Sequence, residues 1–128
     1  MQQINVGIIG TGWCGGIRAN TCAGSPLVKE LHIAEINEDR LKEIVAETKP
    51  NSSTTDYMEI IENDSLDTII ISATPETTHY PMAKEALLAG KHVFLEKPLA
   101  LTLEEADELI QIQKEKNLKF AIGYSQRF

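Results

Sequence analysis

The chain has 128 residues, of which 42% are apolar and 24% charged, a balance that suits one ordinary globular domain and excludes two. The formal net charge of −7 disfavours a nucleic-acid partner, since phosphate binding needs a basic surface. No apolar run approaches the roughly 18 residues of a membrane span. The opening Met1-Gln2-Gln3-Ile4-Asn5 has neither the basic region nor the cleavage site of a signal peptide, so a cytoplasmic protein is expected. The charge is uneven: residues 1–28 hold one Arg and no acid, residues 29–64 sum to −6, and residues 65–128 to −2. The acid-free stretch is where an anionic ligand is expected. Cys14 and Cys22 form no C-x-x-C pair and no zinc pattern, and read as free thiols.

Strands and helices alternate throughout. Ile4–Ile9 is a short apolar run ending in Gly, predicted as a buried strand, and a glycine-rich turn then opens a helix from Trp13 to Ala23. Leu31–Ile36 is the second strand. Asn37 caps a helix with Leu41, Ile44 and Val45 on its apolar face. Ser53–Thr55 is a minimal third strand, and Asp56 with Glu59 forms a capping box for a short helix through Ile61. Thr68–Ser72 is the clearest strand, apolar enough to be covered on both faces. A helix capped by Thr78 runs to Leu88, with Gly90 at its end. His92–Leu95 is the fifth strand. Thr102 and Glu105 box the next helix, with Ala106, Leu109 and Ile110 inward and Asn117 at its end, and Phe120–Gly123 is the sixth strand. This alternation predicts an α/β fold of the Rossmann type: a doubly wound parallel sheet of about six strands with helices on both faces.

Gly10-Thr11-Gly12-Trp13-Cys14-Gly15 reads G-x-G-x-x-G between a predicted strand and a predicted helix, the context that gives this short pattern meaning. Gly10 permits the tight turn, Gly12 lets backbone approach a pyrophosphate, and Gly15 lets the helix pack on the strand. The N–H groups and dipole of the helix start suit phosphates. Glu35, 20 residues after Gly15, stands where an acid accepts hydrogen bonds from the adenosine ribose, which favours NAD as the cofactor. Arg40, five residues on, leaves NADP open, because an Arg near the ribose accommodates a 2′-phosphate; a plain surface role is the other reading.

Ser72-Ala73-Thr74-Pro75 leaves the carboxyl end of the best strand, where ligands of open α/β sheets bind. His79 at the following helix start is more often a structural hydrogen-bonding residue than a catalyst. Glu96-Lys97-Pro98 follows the fifth strand. Lys97 suits a pocket cation that donates or accepts a proton, with Glu96 holding it in place, although a surface Lys beside a turn proline is the simpler reading of those residues alone.

Taken together, the chain resembles the N-terminal half of the glucose–fructose oxidoreductase / inositol dehydrogenase / MocA (Gfo/Idh/MocA) family. The resemblance rests on IGTGWCG at residues 9–15, Glu35 to Arg40, Thr74-Pro75 with His79, Ala89-Gly90-Lys91-His92-Val93, Glu96-Lys97-Pro98-Leu99-Ala100, and Gly123-Tyr124-Ser125-Gln126-Arg127-Phe128. It implies an NAD(P)-dependent dehydrogenase acting by hydride transfer on a sugar, cyclitol or related polyol. It implies that Lys97 is the catalytic residue, beside substrate and nicotinamide. The implied cofactor-binding set is Gly10, Thr11, Gly12, Trp13, Cys14, Gly15, Glu35, Asn37, Arg40, Thr74, Pro75, His79, Glu96 and Lys97, with no metal. Two departures stand out. The ribose acid is commonly Asp where this chain has Glu35, and Tyr124-Ser125-Gln126-Arg127 has Gln where Asn or Arg is common.

The resemblance further implies that residues 1–128 are the NAD(P)-binding domain. A C-terminal α+β substrate domain, which carries the catalytic His and most of a homo-oligomer interface, is absent. His32, His79 and His92 do not replace that base. The expected behaviour of this chain is dinucleotide binding without turnover. A stand-alone NAD-binding sensor or regulatory module is the alternative, and a related reductase of a tetrapyrrole or imine is a third reading, since the fold does not choose the substrate.

Overall fold

The computed structural model describes residues 3–73, 76–96 and 102–122. Six strands, β1 (Ile4–Ile9), β2 (Val28–Ala34), β3 (Ser52–Thr54), β4 (Thr68–Ile71), β5 (His92–Leu95) and β6 (Phe120–Ile122), form one sheet. They alternate with α1 (Trp13–Ala23), α2 (Glu38–Thr48), α3 (Tyr57–Ile61), α4 (His79–Leu88) and α5 (Leu103–Glu115). Every pairing is parallel, and the order is β3-β2-β1-β4-β5-β6. The order reverses between β1 and β4, so a crevice opens at the carboxyl ends of those strands.

Two layers of core follow from the pleat. Val6, Ile8, Leu31 and Ile33 point to one face and pack with Ala19 of α1 and Ile44 of α2. Ile9, Ile69, Ile71, Val93 and Leu95 point to the other and pack with α3, α4 and α5 through Ile60, Met82, Leu87 and Leu109. Complete burial of such side chains contributes roughly 1.5–3 kcal/mol each, and this sets the register of every strand. The expected cover is not uniform, however. Ile70 and Phe94 alternate with buried neighbours and are only half-buried, because α1 and α2 lie over the β1–β2 side of their face.

Element boundaries differ from expectation for local reasons. β2 begins at Val28 and ends at Ala34, not at Leu31 and Ile36. Lys29 and Glu30, which follow Val28 in it, are polar because that end of the strand meets solvent, and Ile36 is 84% exposed beyond the sheet. Asp56 caps α3 by accepting the Met58 N–H at 3.0 Å, and Glu59 contributes only its backbone N–H to the Asp56 carbonyl, so the box is not closed. Thr78 ends a 3₁₀ turn (Glu76–Thr78) in helical conformation, and its side chain makes no cap hydrogen bond, since capping needs extended backbone. The Thr102–Glu105 box is complete. On α5 the inward stripe is Leu109 and Ile112, three residues apart, whereas Ile110 is 42% exposed.

Lys91 is 5% exposed and donates from Nζ to the carbonyls of Asn63 (2.6 Å) and Leu66 (2.9 Å), tying the α4–β5 link to the α3–β4 loop. Burial pushes its ammonium below the usual lysine range, against the opposing pull of Asp64 and Asp67. Cys22 is a free, half-buried thiol, raised above its ordinary pKa by burial with Arg18 opposing. Among the described residues no helix is long and apolar enough to cross a membrane.

Candidate functional site

The crevice is built from three strand ends. Gly10 follows β1 with φ +90°, donates its N–H to the Ala34 carbonyl of β2 at 2.9 Å, and lies against the backbone of Ala73 beyond β4. A Cβ at Gly10 would come within 2.5 Å of Ala73 Cα, and one at Gly15 within 2.0 Å of the Gly10 carbonyl oxygen. Both glycines are therefore required by the chain itself. Gly12 is different: a Cβ there meets nothing within 4 Å. The space beside Gly12 is open, as it must be for a ligand phosphate to approach the backbone.

Thr11 is fully buried and makes the turn's strongest contacts. Its N–H and its hydroxyl both donate to Glu35 Oε1, each at 2.7 Å. Glu35 Oε2 accepts the Asn37 N–H at 3.0 Å. Arg40 Nε donates to the Thr11 carbonyl at 2.6 Å, and its Nη1 reaches Glu43 at 3.3 Å. The Asn37 side chain caps α2 through the Arg40 N–H at 3.0 Å. The structure thus brings Gly10, Thr11, Gly12, Glu35, Asn37 and Arg40 around one cleft of about 600 Å³. This cleft joins the ends of β1, β2 and β4.

Ile36, Tyr57, Ser72, Ala73, Thr78 and Met82 are also among the lining residues. Ile36, Tyr57 and Met82 were not singled out by sequence. Only Ile36, an apolar residue between the acid and the helix cap, carried a signal, and its exposure shows it as an apolar wall at the cleft mouth. Ser72 Oγ is buried without a hydrogen-bond partner beside the glycine turn. An open cradle at Gly12, an orphaned hydroxyl, a carboxylate on the β2 end and an apolar wall together fit a dinucleotide.

Other candidates stand elsewhere. His79 is 3% exposed, with Nε2 2.8 Å from the Ala73 carbonyl and Nδ1 buried without a partner. It supports the loop after β4 from behind, and Thr78 forms the cleft wall instead. Glu96 is 3% exposed, and its carboxylate takes Arg18 Nε at 3.1 Å and Nη2 at 3.5 Å, while the same guanidinium lies 4.9 Å from the Phe94 ring centre. The described partner of Glu96 is thus Arg18, while the expected contact with Lys97 lies outside the described residues. Trp13 and Cys14 belong to the first turn of α1, with side chains outside the described residues. Thr74, Pro75, Lys97, Pro98 and the closing Tyr124 to Arg127 also lie outside them.

Comparison with known proteins agrees with this geometry. Residues 4–124 match the model of the GFO_IDH_MocA family, described as an oxidoreductase family with an NAD-binding Rossmann fold. Levoglucosan dehydrogenase of Pseudarthrobacter phenanthrenivorans is 33% identical over 99% of this chain and 34% of its own length. Myo-inositol 2-dehydrogenase of Thermotoga maritima is 30% identical over 98% of this chain and 37% of its own. The crystal structure of biliverdin reductase from Synechocystis sp. PCC 6803, in complex with biliverdin and NADP+, superposes with a TM-score of 0.86 at 29% identity, over 94% of this chain and 38% of that one. The chain therefore spans about a third of the length of the relatives it matches. With its sheet order, its glycine turn and its match over nearly every residue, the chain belongs to the Gfo/Idh/MocA oxidoreductases as an NAD-binding Rossmann domain.

Proposed function

We propose that the whole protein is an NAD(P)-dependent dehydrogenase of a sugar, cyclitol or related polyol, and that this chain binds the dinucleotide without turning over substrate. The observation that carries the reading is the cleft in which the Glu35 carboxylate meets a glycine turn left open at Gly12. The names of the two dehydrogenase relatives support the substrate class. In this reading the substrate pocket, the remaining acid–base group and a subunit interface come from a further domain.

The residues present divide the work of binding. Glu35 accepts a hydrogen bond from the adenosine ribose at Oε2, backbone N–H groups at the start of α1 face the pyrophosphate, and Ile36 lies against the apolar base. The nicotinamide, when bound, supplies the hydride acceptor. Lys97 is the proposed catalytic residue, its neutral Nζ accepting the proton of the substrate hydroxyl that is oxidised.

The test is a fluorescence titration of the chain with NADH, then an assay of NADH formation from NAD+ and a panel of polyols. Saturable binding with no polyol-dependent rate is expected. Failure to bind would overturn the reading, and a polyol-dependent rate would overturn the claim that this chain lacks turnover.

A further inference from the structure

Glu35 carries more donors than a ribose-binding carboxylate requires. Oε1 accepts two hydrogen bonds from Thr11 and Oε2 accepts one from Asn37. A carboxylate offers about four acceptor sites, so three are used and one, on Oε2, is left for a ligand. The Thr11 carbonyl meanwhile holds Arg40 by Nε, and Arg40 Nη1 is drawn to Glu43. One fully buried residue in the variable position of the glycine motif thus grips both the acid and the cation that bear on the adenosine ribose.

We infer that Thr11 is a positioning residue for cofactor selectivity: it fixes Glu35 and anchors Arg40 so that the chain prefers NADH to NADPH. This rests on the dinucleotide reading above. Glu has one more rotatable bond than Asp, and ordering a free Glu side chain is among the larger side-chain entropy costs of binding. The two Thr11 donors meet that cost before the ligand arrives. They also hold the negative charge where a 2′-phosphate would sit. Arg40 is held through Nε by the Thr11 carbonyl and through Nη1 by Glu43, so turning its remaining N–H donors onto that phosphate competes with both contacts. The hydroxyl is the part that matters here, because the backbone N–H remains in any variant.

The experiment titrates the chain and two variants, Thr11→Val and Thr11→Ser, with NADH and with NADPH, alongside urea unfolding of each. Thr11→Val is expected to weaken NADH about tenfold, the scale of one hydrogen bond to a charged group, with a smaller change for NADPH. Selectivity therefore falls, and Thr11→Ser restores it. Equal weakening of both nucleotides, unchanged NADH affinity, or no rescue by Thr11→Ser would overturn the inference. Should Thr11→Val not fold, Thr11→Ala serves instead: it removes the hydroxyl and keeps the backbone N–H on Glu35, and undiminished selectivity there would overturn the inference equally. A wild-type chain that binds neither nucleotide would overturn the dinucleotide reading as well, whereas binding with selectivity insensitive to Thr11 overturns this inference alone.

Discussion

The buried Glu96 carboxylate at the end of β5 is paired across 3.1 Å with Arg18 of α1, a residue 78 positions earlier in the chain. The pair is unequal, because Glu96 is 3% exposed and the Arg18 side chain is 33% exposed. Removing the cation strands a carboxylate out of water, whereas removing the carboxylate leaves a guanidinium that solvent and Phe94 still reach. Arg18→Met is therefore expected to cost about 2–3 kcal/mol and Glu96→Gln clearly less. Urea unfolding of both single variants and the double variant checks this. The double variant should be more stable than the sum of the two predicts, and strict additivity would show that the pair carries no coupling.

Gly12 and Gly15 separate ligand demand from folding demand. Gly15→Ala drives a methyl group into the Gly10 carbonyl, and a loss of about 1–3 kcal/mol in stability is expected. Gly12→Ala meets nothing in the protein, so stability should stay within about 1 kcal/mol of the parent while NADH affinity falls about tenfold or more. Thermal unfolding and NADH titration of the two variants separate these outcomes. A Gly12→Ala chain that binds like the parent would remove the case for phosphate at that turn.

His79 tests the loop after β4 from behind. With Nε2 donating to the Ala73 carbonyl, His79→Leu leaves that acceptor without its partner, at a cost of about 1–2 kcal/mol. His79→Gln keeps a donor on a side chain of similar reach and should recover part of the loss. Equal stability of the Leu variant and the parent, measured by chemical denaturation, would show that the bond does not support the loop.

The clasp between α4 and α5 gives a pH signature. Glu108 accepts from the Tyr80 hydroxyl and pairs with Lys84 at 2.9 Å. The Tyr80 bond, then the Lys84 bond, hold the Glu108 carboxyl below its ordinary value of 4.5. A carboxyl lowered by folding adds stability above its unfolded pKa, and that contribution disappears as pH falls through the folded value. Glu108→Gln should thus melt below the parent at neutral pH, with the difference closing once the pH drops under 4.5. Because these side chains are partly exposed, the gap should also shrink in high salt. A gap that stays constant down to the acid limit would refute the assignment.

The order of elements was legible because each strand run and helix face declares itself locally, as Thr68–Ile71 and the Thr102–Glu105 box do. The glycine turn and Glu35 were legible for the same reason, since their spacing is counted along the chain. What was not legible depends on register. Nothing near Glu96 announces Arg18, and nothing near Thr11 announces that its hydroxyl lies on Glu35; both contacts exist only once β1, β2 and β5 take their places in the sheet. Ile110 was misjudged because residues 109, 110 and 112 are all apolar or amphipathic neighbours on one helix, and only the angle at which α5 meets its partners chooses between them.

The cleft draws its walls from β1, β2 and β4, strands that are adjacent only after the chain has folded. An unfolded chain offers the dinucleotide no comparable surface. Nucleotide at a hundred times its dissociation constant would then add about 2.7 kcal/mol to the native state by mass action alone. For a domain of this size that is a substantial part of its net stability, and it bears directly on resistance to proteolysis. The survival of the chain in a cell would rise and fall with the supply of its cofactor, so that the binding cleft also governs the chain's lifetime.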